Sequence, residues 1–240
     1  MKITDPTQVN FYDVITSRRS VRRFTDTPIP NEVIDACLDM AMLAPNSSNL
    51  QPWAFYVIET PHVHQKVVKY CMNQNAARTA KCLIVCVARG DTWRQNSQDN
   101  IKYYPVKPVP KAVKNYYGKL MPFGFSLGKF NAFVPAKWAL TQAVRQVRGA
   151  FIDPMYSQAD VKNWALISTS LACQNLMLAF RSFGFDTCPM GGFDEGKLKK
   201  LLKLNEHQYV CMVLAVGERD SSGIYSEQYR FDKKRFVIKV

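Results

Sequence analysis

Lys81-Cys82-Leu83-Ile84-Val85-Cys86-Val87-Ala88-Arg89 sets seven consecutive apolar residues between two cations. A short run of this kind, rich in branched side chains and bounded by polar sequence, reads as a strand covered on both faces. A second such run, Val210 to Val216, predicts another buried strand, and the aromatic and β-branched stretch Trp53 to Ile58 predicts a third. Both apolar runs fall far short of the roughly 20 residues that a membrane-spanning helix requires.

Between the strands the periodicity changes. Val33, Ile34, Cys37, Leu38, Ala41 and Met42 form one apolar stripe, which predicts a helix over 32–43 that Pro45 ends. From Trp164 to Phe180 almost every face is apolar, so this segment is expected to be the central helix, surrounded by protein and stopped by Gly184. Asp194 can cap a short helix through Leu198, Leu201 and Leu202. The last segment, Tyr229 to Val240, has apolar residues without helical period and reads as an extended arm. Helices and strands mix without a regular βαβ repeat, so the fold class is α+β. No internal repeat and no glycine-rich phosphate loop is visible.

The 240 residues are expected to form one domain around one core. The opening MKITDPTQVNFYD has neither a basic nor an apolar leader region, which makes a cytoplasmic location the default. Seven cysteines, an odd number mostly embedded in apolar sequence, read as reduced core residues. None of His62, His64 and His207 has ligand spacing, so no metal is expected. The charge of +13 is uneven: residues 101–150 hold nine of the 32 basic residues and none of the 19 acidic ones.

Two segments concentrate groups suited to a ligand. Ser17-Arg18-Arg19-Ser20-Val21-Arg22-Arg23-Phe24 places four arginines in six positions. Arginine forks bind phosphate bidentately and serine adds a hydrogen bond; a solvated basic turn or a nucleic-acid patch is the alternative. Ala44-Pro45-Asn46-Ser47-Ser48-Asn49-Leu50-Gln51-Pro52-Trp53 gathers amides and hydroxyls between prolines. It is either a ligand loop or a turn that satisfies its own backbone.

Taken together, Arg-Arg-Ser-x-Arg followed by Ala-Pro-Asn-Ser-Ser-Asn-x-Gln-Pro-Trp resembles the opening of the nitroreductase family. Cys188-Pro189-Met190-Gly191-Gly192-Phe193-Asp194 is similar to the family's Pro-x-x-Gly-Phe-Asp segment, and Lys233-Lys234-Arg235 to its C-terminal Lys-x-Arg. The resemblance spans nearly the whole chain and is weakest over residues 90–160. It implies an FMN-binding α+β fold, with a central sheet flanked by helices, a C-terminal arm exchanged in a homodimer, and two FMN sites built from both chains. By that resemblance Arg18, Arg19 and Ser20 hold the phosphate and ribityl chain, and Lys233 and Arg235 return to the phosphate. Pro45, Asn46, Ser47 and Asn49 come from the partner subunit, with Gln51 close by. Asn73, Pro189, Met190 and Gly191 also line the cofactor.

Reduction at the flavin N5 leaves negative charge over N1 and O2, which a fixed cation stabilises as an oxyanion hole does. Arg22 is expected in that role, and the backbone N–H of Gly192 as the donor to N5. The acidic residue that some members carry at the position of Gly191, and the lysine that others carry near Ala76, are missing. The function expected is NAD(P)H-dependent reduction of nitroaromatic, quinone or similar small electron-poor acceptors by a ping-pong mechanism. Reductive dehalogenation or dehydrogenation within the same family is the alternative enzyme reading, and a basic nucleic-acid or membrane-surface binder is the alternative of another class. The family's variable insertion corresponds to about 91–160 here, where aromatic residues from Tyr103 to Trp138 interleave with the cations. It forms either a basic, aromatic lid drawing in anionic ligands or a solvated insertion anchored by its aromatics.

Overall fold

The computed structural model describes residues 4–240; residues 1–3, which begin the segment read for a leader, lie outside the described residues. β2 (Cys82–Arg89) is buried along nearly its whole length, and its alternation decides what covers the sheet. Leu83, Val85 and Val87 belong to one apolar layer, while Cys82, Ile84 and Cys86 belong to the other, as a side-chain period of two requires. β2 pairs antiparallel with β1 (Trp53–Val57) and with β4 (Gln208–Gly217), and β4 carries β3 (Asp186–Met190). The result is one four-stranded antiparallel sheet in the order β1-β2-β4-β3. β3 is not among the strands that the sequence predicts; its Pro189 is tolerated because the strand lies on an edge.

α2 (Asn31–Met42) and α9 (Gln158–Ser182) cover one face, burying Val33, Cys37, Cys173, Leu176 and Phe180 against Ile84 and Leu214. The other face is covered by α3 (Pro61–Tyr70), α4 (Asn75–Thr79) and α10 (Glu195–Leu202), through Val67, Ala76, Ala77 and Leu198. The fold is therefore α+β, as expected. α9 begins six residues before the predicted start, because Ser157 and Asp160 form a capping box that satisfies its first turn. Gly184, at φ 85°, stops it in the left-handed conformation. The expectation that α9 is covered on every side is not met within one chain, where Ile167 is 66% and Leu171 44% exposed.

The basic segment is mostly helical. It contains α5 (Trp93–Lys102), α6 (Lys111–Asn115), a π-helical turn (Tyr116–Leu120), α7 (Met121–Phe125) and α8 (Val134–Arg148). Met121 and Phe125 pack with Leu50, Ala88, Val161 and Trp164, and the Phe125 and Trp164 rings meet edge to face at 4.7 Å. Its aromatics thus divide: Phe125 anchors the segment, while Tyr103, Phe130 and Trp138 stand exposed.

Lys137, on α8, is completely buried. Its ammonium donates to the carbonyls of Gly124 (3.2 Å), Ser126 (2.8 Å) and Met155, and lies 5.8 Å from the Phe133 and Tyr156 rings. Three carbonyls and two ring faces replace the water an ammonium would lose on burial, which ties α8 to the chain on both sides of it. Lys137→Ala is expected to destabilise the protein by about 3 kcal/mol, because it leaves a void and takes the ammonium from three carbonyls, of which that of Gly124 keeps the Met155 N–H as a donor. Lys137→Met, which refills the volume without the donor, should recover only part of that loss in denaturant unfolding. An alanine variant within about 0.5 kcal/mol of the parent would mean that these carbonyls are otherwise satisfied.

Candidate functional site

α1 (Phe11–Ser17) ends at Ser17, and the chain then runs extended beside β3. Ser20 bridges Thr187, the Val21 N–H donates to the Thr187 carbonyl (3.0 Å), and the Arg22 N–H donates to Gly223 (2.8 Å). Val21 and Phe24 turn into the core, whereas Arg18, Arg19 and Ser20 are half-buried and Arg22 is exposed. Gly223 is required here: a Cβ would stand 2.5 Å from the Arg23 carbonyl.

The segment is held in place by a buried carboxylate. Asp186, 2% exposed at the start of β3, receives both Arg219 Nε (3.1 Å) and Arg219 Nη2 (2.8 Å), and Arg181 Nη1 at 3.2 Å. The same two arginines reach back to Ser17, Arg181 to its hydroxyl (2.9 Å) and Arg219 to its carbonyl (3.2 Å). This network leaves no local signal in the sequence, because Asp186, Arg219 and Ser17 are far apart along it.

Arg18, Arg19, Ser20 and Arg22 line a pocket of about 270 Å³ with Ser226 to Arg230. Arg19 donates to the Ser226 carbonyl at 2.6 Å, and among the described residues Arg18 has no ion pair. Burial, and then the charges of Arg230 and Arg19, push the Arg18 guanidinium pKa below its ordinary value, with Asp186 opposing. Cations so crowded favour an anion between them. Arg230 belongs to this pocket and was not singled out in the sequence; its only signal there is a basic residue at the root of the arm. Within one chain Lys233 and Arg235 do not line this pocket: Lys233 lines an adjoining hollow that shares Tyr229 and Arg230 with it, and Arg235 stacks on Phe231 at 4.6 Å.

Arg22 lies near enough to Cys188 to oppose the upward shift that burial imposes on that thiol. Beyond Pro189 and Met190, Gly191 and Gly192 are exposed, and a Cβ at Gly191 would meet nothing within 4 Å. The Gly192 carbonyl accepts from Gln74 Nε2 (2.8 Å), while its N–H donates to no described atom. Asn73, next to Gln74, is exposed with φ 51°.

The amide loop follows α2. Asn46 closes it by accepting from the Gln51 N–H (2.9 Å), and Leu50 is wholly buried, which leaves Pro45, Ser47, Asn49 and Gln51 exposed. Asn49 and Gln51 line a cleft of about 550 Å³ together with Met42, Trp53, Asn96, Asp99, Asn100, Tyr103, Tyr104 and Tyr117. Its one charged lining side chain is Asp99; none of the nine cations of residues 101–150 faces it. In a single chain this cleft, the arginine pocket and the glycine turn are three separate surfaces.

Comparison with known proteins follows the same residues. A model described as the Nitroreductase family matches residues 15–218. The chain is 29% identical over 209 residues to the protein DrgA of Synechocystis, covering 87% of this chain and 83% of that one. It is 26% identical over 217 residues to the 4-nitrobenzoate reductase of Pseudomonas putida, covering 89% and 87%. Its fold is similar to that of an Exiguobacterium sibiricum protein assigned as a nitroreductase and solved in complex with FMN, with a TM-score of 0.71 and 21% identity over 99% of this chain and 100% of the other.

The Asp186 network sets a test of how the arginine segment is positioned. Asp186→Ala leaves Arg181 and Arg219 facing each other without their anion and is expected to cost about 3 kcal/mol. For a chain of this size that is a fall of roughly 6–12 °C in Tm. A shift under about 1 °C would show that Asp186 does not anchor the segment.

Proposed function

The chain belongs to the nitroreductase family of FMN-dependent oxidoreductases, and from that premise we propose that it uses NAD(P)H to reduce nitroaromatic, quinone or similar electron-poor acceptors. Donor and acceptor occupy the same site in turn, which is a ping-pong scheme. The working unit is a homodimer, with each FMN held between the two chains.

The observation that carries this reading is the crowding of Arg18, Arg19 and Arg230 around a pocket whose lining holds four arginines and a single carboxylate, Glu227, with no ion pair to Arg18 among the described residues. A phosphate monoester, with roughly two negative charges at neutral pH, matches such a donor set. Arg18, Arg19 and Ser20 bind it, and Lys233 and Arg235, which line other surfaces within one chain, reach it when the arm is exchanged in the dimer. The exposed apolar residues Ile167 and Leu171 of α9 fit a face that a second chain covers. In that arrangement Pro45, Asn46, Ser47 and Asn49 complete the partner's site, with Gln51 close by.

When bound, the flavin supplies the two-electron chemistry. The chain's own part is to place charge and donors. Arg22 offers a fixed cation beside Cys188, suited to the negative charge that reduction leaves on the pyrimidine edge. Gly192 offers a free, exposed N–H whose neighbouring carbonyl Gln74 pins, and Gly191 leaves open space beside it. Asn73, Pro189 and Met190 border the same surface. No side-chain acid or base is required of the protein.

Arg18→Ala is expected to weaken FMN binding at least roughly thirtyfold, the effect of removing one partner of a charge-assisted contact. Titration of apoprotein with FMN measures it. Affinity equal to that of the parent would remove Arg18 from the site.

A further inference from the structure

The amide loop adopts a backbone that its sequence does not favour. Ser48, Asn49 and Gln51 have φ of 60°, 50° and 44°, the left-handed region that residues other than glycine adopt uncommonly, asparagine most readily, so that the run of three needs support from its surroundings. Those surroundings are in the basic segment. Asn96 Nδ2 donates to the Leu50 carbonyl at 2.7 Å, and Asn100 Nδ2 to the Asn49 carbonyl at 2.8 Å, while Asn49 Nδ2 donates back to Asn100 Oδ1 at 2.9 Å. The Tyr117 hydroxyl donates to the Ser48 carbonyl at 3.1 Å, and the Tyr116 hydroxyl meets the Ser48 hydroxyl at 2.6 Å. Burial pushes the Tyr117 pKa up, which keeps its proton available. Ser97 in turn donates to the Tyr117 carbonyl at 2.8 Å, fixing the π-helical turn to α5.

We infer that Asn96, Asn100, Tyr116 and Tyr117 are positioning residues, which hold the Ser48–Gln51 loop in its left-handed backbone and so set how tightly FMN binds and how fast the bound flavin turns over. The inference rests on the FMN reading above, in which Asn49 and Gln51 face the cofactor. It gives residues 91–160 a role other than gathering anions: the segment grips three successive loop carbonyls while its cations stay out of the cleft. Leu50 is independently anchored among Met121, Phe125 and Trp164. The loop therefore stays attached when the clamp is loosened, and what is lost is the aim of Asn49 and Gln51.

The test compares Tyr116→Phe/Tyr117→Phe and Asn100→Ala with Arg18→Ala. The double phenylalanine variant keeps the ring packing and deletes two hydroxyls, so it carries the test if the alanine variant fails to fold. Three quantities are read: FMN affinity of the apoprotein, visible circular dichroism of the bound flavin, and kcat and KM at saturating NAD(P)H. The expected result is FMN affinity lower by at least roughly tenfold, an altered flavin dichroism and a lower kcat, with the apoprotein's denaturation midpoint little changed. Parent affinity and dichroism in both clamp variants, with Arg18→Ala impaired, overturn the positioning role and leave the FMN reading intact. Parent apoprotein that takes up no FMN overturns both.

Discussion

A buried carboxylate is costly unless it is paired, and Asp186 meets that constraint by drawing in two arginines from different elements of the chain. Arg181 closes α9 and Arg219 follows β4, and through Ser17 both hold the end of α1. Three elements distant in sequence are thereby fixed at one edge of the sheet. The chain that leaves Ser17 has no choice but to run beside β3, which delivers Arg18, Arg19 and Ser20 to one pocket. Asp186 is already shared by two cations, so it only partly offsets the charge of Arg18. That imbalance favours an anion, and under the proposed function the phosphate end of FMN supplies it.

The other half of the proposed site obeys a different constraint. Asn49 and Gln51 are useful to a flat ligand only if the loop does not relax, and a loop with three left-handed non-glycine residues tends to relax. Donors from α5 and the π-helical turn oppose that tendency at the carbonyls of Ser48, Asn49 and Leu50. Lys137 then braces the segment from within by binding the carbonyls of Gly124, Ser126 and Met155. The excess charge of residues 101–150 draws the eye in the sequence, but the amides and tyrosines of the segment make the contacts to the site.

Much of the scaffold was legible because its physics is local. The alternating, doubly covered strands β2 and β4 announce themselves as apolar runs, the stripe of α2 by its period, and the caps at Asp194 and Gly184 by residue type. β3 was hidden because Asp-Thr-Cys-Pro-Met is short and contains a proline, and only its edge position makes that composition acceptable. The first turns of α9 were hidden by polar residues whose meaning lies in the Ser157–Asp160 capping box. In the site, the arginine and amide segments were recognisable as clusters. Asp186, Arg219, Arg230, Asn96 and Asn100 were not, because each acts across a long sequence separation.

A ping-pong oxidoreductase holds a flavin which one ligand reduces and another oxidises at separate times. The direct measurement is anaerobic: NADPH or NADH is mixed with purified protein, the nicotinamide is removed by gel filtration, and a quinone or nitroaromatic is then added while flavin absorbance is followed. The flavin band is expected to bleach with the donor alone, to stay bleached through the filtration, and to return in proportion to the acceptor added. A protein that carries no flavin, or whose flavin bleaches only when donor and acceptor are present together, would contradict this expectation.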